Sequence, residues 1–544
     1  MWASASGSAG NVRHFRRNVF GRPTRARIGA LTAAALLWSA TPAGAVPGDP
    51  GRASTGDPRD VIARQIDAAV GAAADVPPQG AVAVAVTLAG VPAVVVGRDA
   101  TLADVAAAVP AAVHQPAPGL WAVDRLLVVT RGATLTIAAP AVRELRLLSQ
   151  AGQFATIVAR DANLRIVGER SWRLVVRSWD VATTSPDTSL ADGRGSLSVR
   201  GGGRLDATDV SFEDLGFFEG RVSGVAATAA RLLDGSDPPL TARPTGSLTH
   251  SRFVRNLFGA YTYEAFGMAW VDNAFVHNRV YGLDPHDNSD GFLIENNLAA
   301  YNGRHGIILS RFCDDDVIRR NRVLSNGVHG IVLDDGHDAD GPSDRNMVVG
   351  NVVRGNARAG IWIEGSSQNR IIGNRVDGQR YGVLIQPGSS GNVVGDNVIA
   401  DSGDYGVFVN GGPVTDVAGN AIARAGTGVR LRETSRSLVT GNVMVRMRDH
   451  GVKIDGSRGP AQRGIVLAHN RISGSGPSPI LSDAGPGDVD LHANTARWNY
   501  PRAHDIAAAM GAFVGPGLWA LLFATVVFGP VPFLLIARLP RRRR

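Results

Sequence analysis

Cysteine is almost absent: one residue, Cys313, occurs in a chain of 544, so no disulfide framework can hold the fold together. Lysine is as scarce, with Lys453 alone. Charged residues reach only 19% and aromatic residues 6% of the chain. The 66 glycines follow no Gly-X-Y period, which excludes a collagen-like rod and leaves a chain rich in turns. There is no Leu-Pro-x-Thr-Gly sorting motif and no run of Gly-Gly-x-Gly-x-Asp calcium nonapeptides. What is present is 44% apolar residues, enough to build a large core and to exclude wholesale disorder.

The net charge of +8 belongs to the two ends. Residues 1–45 carry six arginines and no acid, and five more arginines lie from Arg538 onward, so residues 46–537 hold 45 basic against 48 acidic groups. A nucleic-acid partner is therefore not expected. Arginines leading into an apolar run at 28–40 and then Ala43-Gly44-Ala45 read as a secretory signal peptide over 1–45, and Arg16-Arg17 adds a hint of twin-arginine export. No charge occurs between Asp505 and Arg538; the expectation is a transmembrane helix at 506–537, with 513–536 as its apolar stretch, and a basic cytoplasmic tail at 538–544. The ectodomain between them is expected outside the cytoplasm and monomeric, with the membrane reached only through the C-terminal helix.

Between about 250 and 475 the chain repeats. A glycine opens each short aliphatic run at Gly259, Gly282, Gly306, Gly330, Gly360, Gly382, Gly406, Gly428 and Gly451, with successive spacings of 23, 24, 24, 30, 22, 24, 22 and 23. Asparagines run in step at 273, 297, 321, 351, 374, 397, 420 and 442. Such a period is the mark of a solenoid. The runs are short, β-branched and bounded by Gly, Asn, Asp and Ser, which makes them strands. Three strands per ~23-residue coil, with like positions ~4.8 Å apart, predict an all-β parallel β-helix over 119–490, its asparagines forming an inward ladder bonded to backbone. Irregular first coils are expected at 126–138, 155–167, 172–176 and 196–212, helices covering the open end at 59–74 and 102–113 within a 46–118 segment, and linkers at 46–58 and 491–505.

Indexing each coil from its glycine shows what stacks. The preceding position holds Tyr281, His305, His329, Tyr381, Tyr405 and His450; four after it lie Tyr263, His286, Ser310 and Asp334, and five after it Glu264, Asp287, Arg311 and Asp335. Coils 277–340 thus gather Asp, His, Tyr and Arg into a band. A solvated corner or a stacked aromatic edge would account for any one coil; the coincidence of three favours chemistry.

Tyr-Gly-Leu-Asp-Pro-His-Asp at 281–287, followed one coil later by His-Gly-Ile-Ile-Leu-Ser-Arg at 305–311, resembles the signature of the mannuronan (alginate) C5-epimerases, which are right-handed parallel β-helix proteins. The resemblance implies a polysaccharide C5-epimerase acting on an anionic uronate polymer, without a cofactor. It places Tyr281, Asp284, His286 and Arg311 in the catalytic set; beside them in the band, Asp287, Arg304, His305, His329 and Asp335 are expected to bind substrate. A histidine and a tyrosine would take and return the C5 proton, and Arg311 would neutralise the sugar carboxylate, since the lysine of some members has no counterpart here. The chemistry agrees: proton loss beside a carboxylate needs a cation on that carboxylate, Arg311 can grip both oxygens, and a neutral histidine is a suitable base.

Three alternatives draw on the same residues. A uronate lyase would expel the O4 substituent instead of reprotonating C5. A β-helix glycoside hydrolase would use Asp284 with Asp287 as its carboxylate pair, and a carbohydrate-binding surface protein would show no turnover. The insertion at 334–341 reads as a groove-flanking loop; it lacks the ligand alternation of an EF-hand, so no calcium or other metal is assigned to it. Cys313 reads as a small buried side chain.

Overall fold

Residues 57–500 are described by the computed structural model, apart from 77–79, 151–152, 219, 230–237, 337–340, 456–462 and 486. The expected signal peptide, the C-terminal helix and the basic tail lie outside the described residues, as does most of the 46–58 linker. Among the described residues no helix is long and apolar enough to cross a membrane.

Each coil gives one short strand to each of three sheets, and the described residues form sheets of 16, 15 and 18 strands. From residue 120 onward successive coils pair in parallel, apart from two short returns at 153–154 and 185–186. This is the parallel β-helix that the period predicts. The first sheet carries the site. Its strands alternate strictly: Leu283, Ile307, Ile331, Ile361, Val383 and Val407 stack in register facing inward, each fully buried. The marker glycines serve close approach and not unusual backbone angles. A Cβ on Gly330 would stand 2.5 Å from the carbonyl oxygen of Gly360 in the next coil, closer than any side chain permits.

The asparagine ladder is present as expected. The backbone N–H of Asn297 donates to Oδ1 of Asn321 at 2.8 Å, and Asn321 Nδ2 donates to the Ile294 carbonyl at 2.9 Å and to Asn351 Oδ1 at 3.0 Å. A second ladder runs through Asn256, Asn278, Asn302, Asn326 and Asn356. These amides satisfy corner backbone groups that turn out of the sheet ladders.

Three expectations need correction. Helix α1, Pro58–Ala72, does not cover the open end of the solenoid: Ile66, Ala69 and Val70 pack with Val95, Leu126, Val128 and Val158, the outward residues of the first sheet. The end is closed by α2, Leu102–Ala108, shorter than expected, whose Leu102 and Val105 join the interior core. The reading of 491–505 as linker also fails over 491–499, because Val489–His492 and Thr495–Asn499 form one more coil on the second and third sheets; residues 501–505 lie outside the described ones. Strand alternation there is weakly apolar, so the sequence gives it little signal.

Candidate active site

The band lies on the outer face of the first sheet, on strands Ala260–Tyr263, Leu283–His286, Ile307–Ser310 and His329–Asp334. Leu283 points inward, so Asp284 and His286 point outward. Asp284 is in register with Tyr261 of the preceding coil, and His286 with Tyr263 before it and Ser310 after it. Pro285 has no N–H to give, and the ladder to the next coil pairs Leu283 and His286 but skips the two residues between them. A proline inside a sheet is out of place unless a local break is wanted.

Where the strands end, two corners carry consecutive non-glycine residues in the left-handed region: Asp287 and Asn288 at φ 37° and 51°, and Arg311 and Phe312 at φ 60° and 51°. Such backbone is held against its preference. Here it turns the Asp287 and Arg311 side chains toward each other. Arg311 Nε lies 2.9 Å from Asp287 Oδ1, and Nη2 donates to Oδ2 at 2.9 Å, a two-point grip that fixes the guanidinium plane. The stem of Arg311 runs over Gly336, where any Cβ would collide with it.

The same Asp287 Oδ2 lies 3.1 Å from His286 Nδ1, but off the ring N–H direction, since that nitrogen makes no aligned hydrogen bond. The contact is one of charge. Burial works against the His286 cation, yet the Asp287 contact and the carboxylates of Asp284 and Asp287 outweigh it and hold the imidazole above its ordinary pKa. Asp284 is 2% exposed. Burial pushes its carboxyl up to about 7, against the pull of His286 and of the Ser310 hydroxyl, which donates to Oδ1 at 3.1 Å. Asp284 is thus a buried acid poised near neutrality.

Tyr281, His305 and His329 do stack, but inside a wall. Phe258, Tyr281, His305 and His329 lie with ring centroids 5.2, 5.1 and 5.1 Å apart, and Trp362 closes the column 4.4 Å from His329. His305 and His329 are 3% and 1% exposed, so the column is packed and not an exposed edge. Their Nδ1 atoms accept the backbone N–H of His329 and Ala359, which fixes the tautomer. Burial and the Arg358 and Arg304 cations hold His329 down to about 3, so it stays uncharged. The Arg304 guanidinium lies 5.6 Å from the Tyr281 ring centre. Asp335 leans over Gly365 of the next coil, where no side chain would fit.

The sequence reading omits two residues from the set. Ser310 anchors Asp284, and Tyr261, 8% exposed, sets its ring 5.6 Å from that of His286, its phenol raised well above the ordinary range by burial and by Asp284 and Asp287. Indexing two positions after each glycine would have put Tyr261 over Asp284. Cys313 is buried, as expected, with its thiol pushed up by burial and Asp316. Among the described residues no three His, Cys, Asp or Glu side chains are grouped to hold a metal; residues 337–340 of the insertion lie outside them.

Comparison with known proteins bears on fold and site together. The family described as "Right handed beta helix region" matches residues 217–376, and that described as "Periplasmic copper-binding protein (NosD)" matches 341–462. The chain is 30% identical over 224 residues to the mannuronan C5-epimerase of Pseudomonas aeruginosa, which is 40% of this chain and 39% of that one. It is 27% identical over 301 residues to that of Pseudomonas putida, 54% of each. The chain therefore spans about half or less of the curated relatives that it matches. The crystal structure of the periplasmic alginate epimerase AlgG superposes with a TM-score of 0.55 at 23% identity, over 75% of this chain and 85% of that one. What that likeness shows is the architecture: an all-β, parallel β-helix solenoid.

Proposed function

We propose that the chain is a polysaccharide C5-epimerase that inverts uronate residues within an anionic polymer, mannuronate to guluronate. One observation carries the reading: His286, Asp287 and Arg311 form a continuous contact chain on two adjacent coils, beside a buried Asp284. The relatives named mannuronan C5-epimerase support it.

Arg311 binds the sugar carboxylate and takes up the charge that grows on it as C5 loses its proton. Asp287 holds the guanidinium plane and, facing Nδ1 of His286, keeps the proton there, so that Nε2 receives the proton from C5. Asp284 tunes His286 by its charge. A phenol then returns a proton to the opposite face; Tyr281 holds the matching place in the 281–287 segment, and Tyr261 touches the His286 ring. Comparing Tyr281→Phe with Tyr261→Phe identifies the donor, which loses C5 inversion while retaining C5 exchange. Arg304, His305, His329 and Asp335 line and stiffen the neighbouring coils. No metal or cofactor enters the scheme.

Proton NMR of polymannuronate incubated with residues 46–505 in deuterated buffer tests the reading: guluronate signals with deuterium at C5 are expected. An unsaturated, ultraviolet-absorbing product would instead make the protein a lyase, and the absence of both would leave only carbohydrate binding. The reading also places the domain outside the cytoplasm, by its N-terminal segment and its likeness to a periplasmic protein. It keeps 506–537 as the anchor, so deletion after Asp505 releases the domain from membranes.

A further inference from the structure

The third sheet contributes nothing to the site, yet its outer face has an order of its own. Over seven coils its strands run from Arg322–Leu324 to Arg471–Ser475. The second residue of each, from Val323 to Ile472, belongs to the interior core, so the first residue faces outward. These first residues form one row in register. Arg322 opens the row, Arg375 stands two coil steps on, and Arg471 four steps beyond that. Between them lie Val352, Val398 and Val443, which are 37%, 44% and 39% exposed, and the row holds no acid. Arginines of the flanking corners are matched with acids: Arg319 and Arg320 with Glu295, Arg345 with Asp314 and Asp315, Arg424 with Asp401. Asp377, the one acid on the neighbouring outward row of these coils, faces Arg354 at 3.6 Å. Among the described residues Arg322, Arg375 and Arg471 are matched with none. Like charges set in one line on exposed aliphatic rungs suit an extended ligand that carries anions at intervals.

We infer that this row is a holding track for a second segment of the anionic polysaccharide, on a different face from the reacting unit. The class of polymer is that of the proposed epimerase reading, on which the inference rests. An extended uronate chain with equatorial linkages turns every second carboxylate to the same side, and each pyranose advances about one coil step, ~4.8 Å. Arginines two and four steps apart therefore all meet carboxylates of one side, each with a planar two-point grip. The valines between them accept the C–H faces of the sugars. A lipid surface or an acidic protein calls for no such phase. Arg252, three steps upstream of Arg322, falls out of phase and is not part of the track. A polymer held on the third sheet raises its own concentration at the first, so that one chain is converted repeatedly before it leaves.

Binding and turnover are measured separately with the full-length chain, on long fluorescein-labelled polymannuronate and on mannuronate octamers. The triple variant Arg322→Glu, Arg375→Glu, Arg471→Glu should weaken binding of the polymer and raise its KM about tenfold. Its kcat and its KM for the octamer, which the first sheet alone can hold, should equal those of wild type and so report a folded protein. A second variant, Arg375→Val with Val398→Arg, keeps the charge but moves it one step out of phase; it should weaken polymer binding severalfold. Equal polymer affinity and KM in wild type and the triple variant overturn the track and leave the epimerase reading intact. Full polymer affinity in the phase-shifted variant overturns it as well, since charge alone would then account for binding. If the triple variant loses flotation with preformed phosphatidylglycerol vesicles at unchanged polymer affinity, the face belongs to a lipid surface and the track is overturned. Polymer binding that is sensitive to the triple variant, without guluronate or C5 exchange, upholds the track and overturns the epimerase reading.

Discussion

At the scale of single residues, the site is a set of charges balanced against burial. Asp284 has a folded-state pKa of about 7 against ~3.9 for an unperturbed aspartate. Between those values the unfolded chain has lost the proton that the folded one keeps, so this carboxyl costs stability progressively as pH rises from ~4 to ~7 and costs its full amount above that. Asp284→Asn is therefore expected to be more stable than wild type at pH 8, by on the order of 2 kcal/mol, with the difference vanishing near pH 4 in denaturant titrations, while turnover is lost. His286 must be neutral to act as a base, and its pKa is raised, so the acid limb of kcat/KM should lie above the ordinary histidine value. Asp287→Asn removes the contact that raises it and should move that limb to lower pH in a pH–rate profile. Arg311→Lys keeps the charge but loses the two-point grip, at an expected cost of about 2 kcal/mol in transition-state stabilisation from kcat/KM. The residues of this set were legible because Asp-Pro-His-Asp and Ser-Arg fall at equal phase in adjacent coils. Their burial was not, because nothing in a repeat period tells which outward positions are roofed by aromatic columns.

At the scale of elements, each coil is held by corners as much as by strands. The Asn321 side chain takes part in four bonds: its oxygen accepts from the N–H and side-chain amide of Asn297, and its amide donates to the Ile294 carbonyl and to Asn351 Oδ1. Asn321→Leu leaves these partners buried and unpaired, each costing ~1–3 kcal/mol. A loss of about 3 kcal/mol or more in chemical denaturation is expected, with the kcat of the remaining folded protein unchanged. This ladder was readable from the recurrence of asparagine. The second one repeats five residues after the first, as Asn278 follows Asn273 and Asn302 follows Asn297, and a search for a constant offset would have found it. The placement of α1 was not readable. An amphipathic helix shows that it has an apolar face and not which surface receives it, and the receiving surface, Val95, Leu126, Val128 and Val158, belongs to coils without a clear period.

At the scale of the molecule, the solenoid is a stack whose neighbours support one another, with α2 closing its interior and α1 roofing one stretch of one face. Deleting residues 57–76 should leave the strand signal in circular dichroism unchanged while uncovering an apolar patch on the first sheet; raised dye binding and self-association in light scattering are the expected signs. The coil that holds the 334–341 insertion has a further consequence. Asn321 reaches Asn351 across 30 residues with the same 2.8 Å bond that joins Asn297 to Asn321 across 24, and the Ser343 hydroxyl closes back on the Asp334 carbonyl at 3.0 Å. The stack is indifferent to contour length at that corner. It is a natural splice point beside the active site, where segments of other lengths could be exchanged to reshape what the groove accepts without disturbing a single rung above or below.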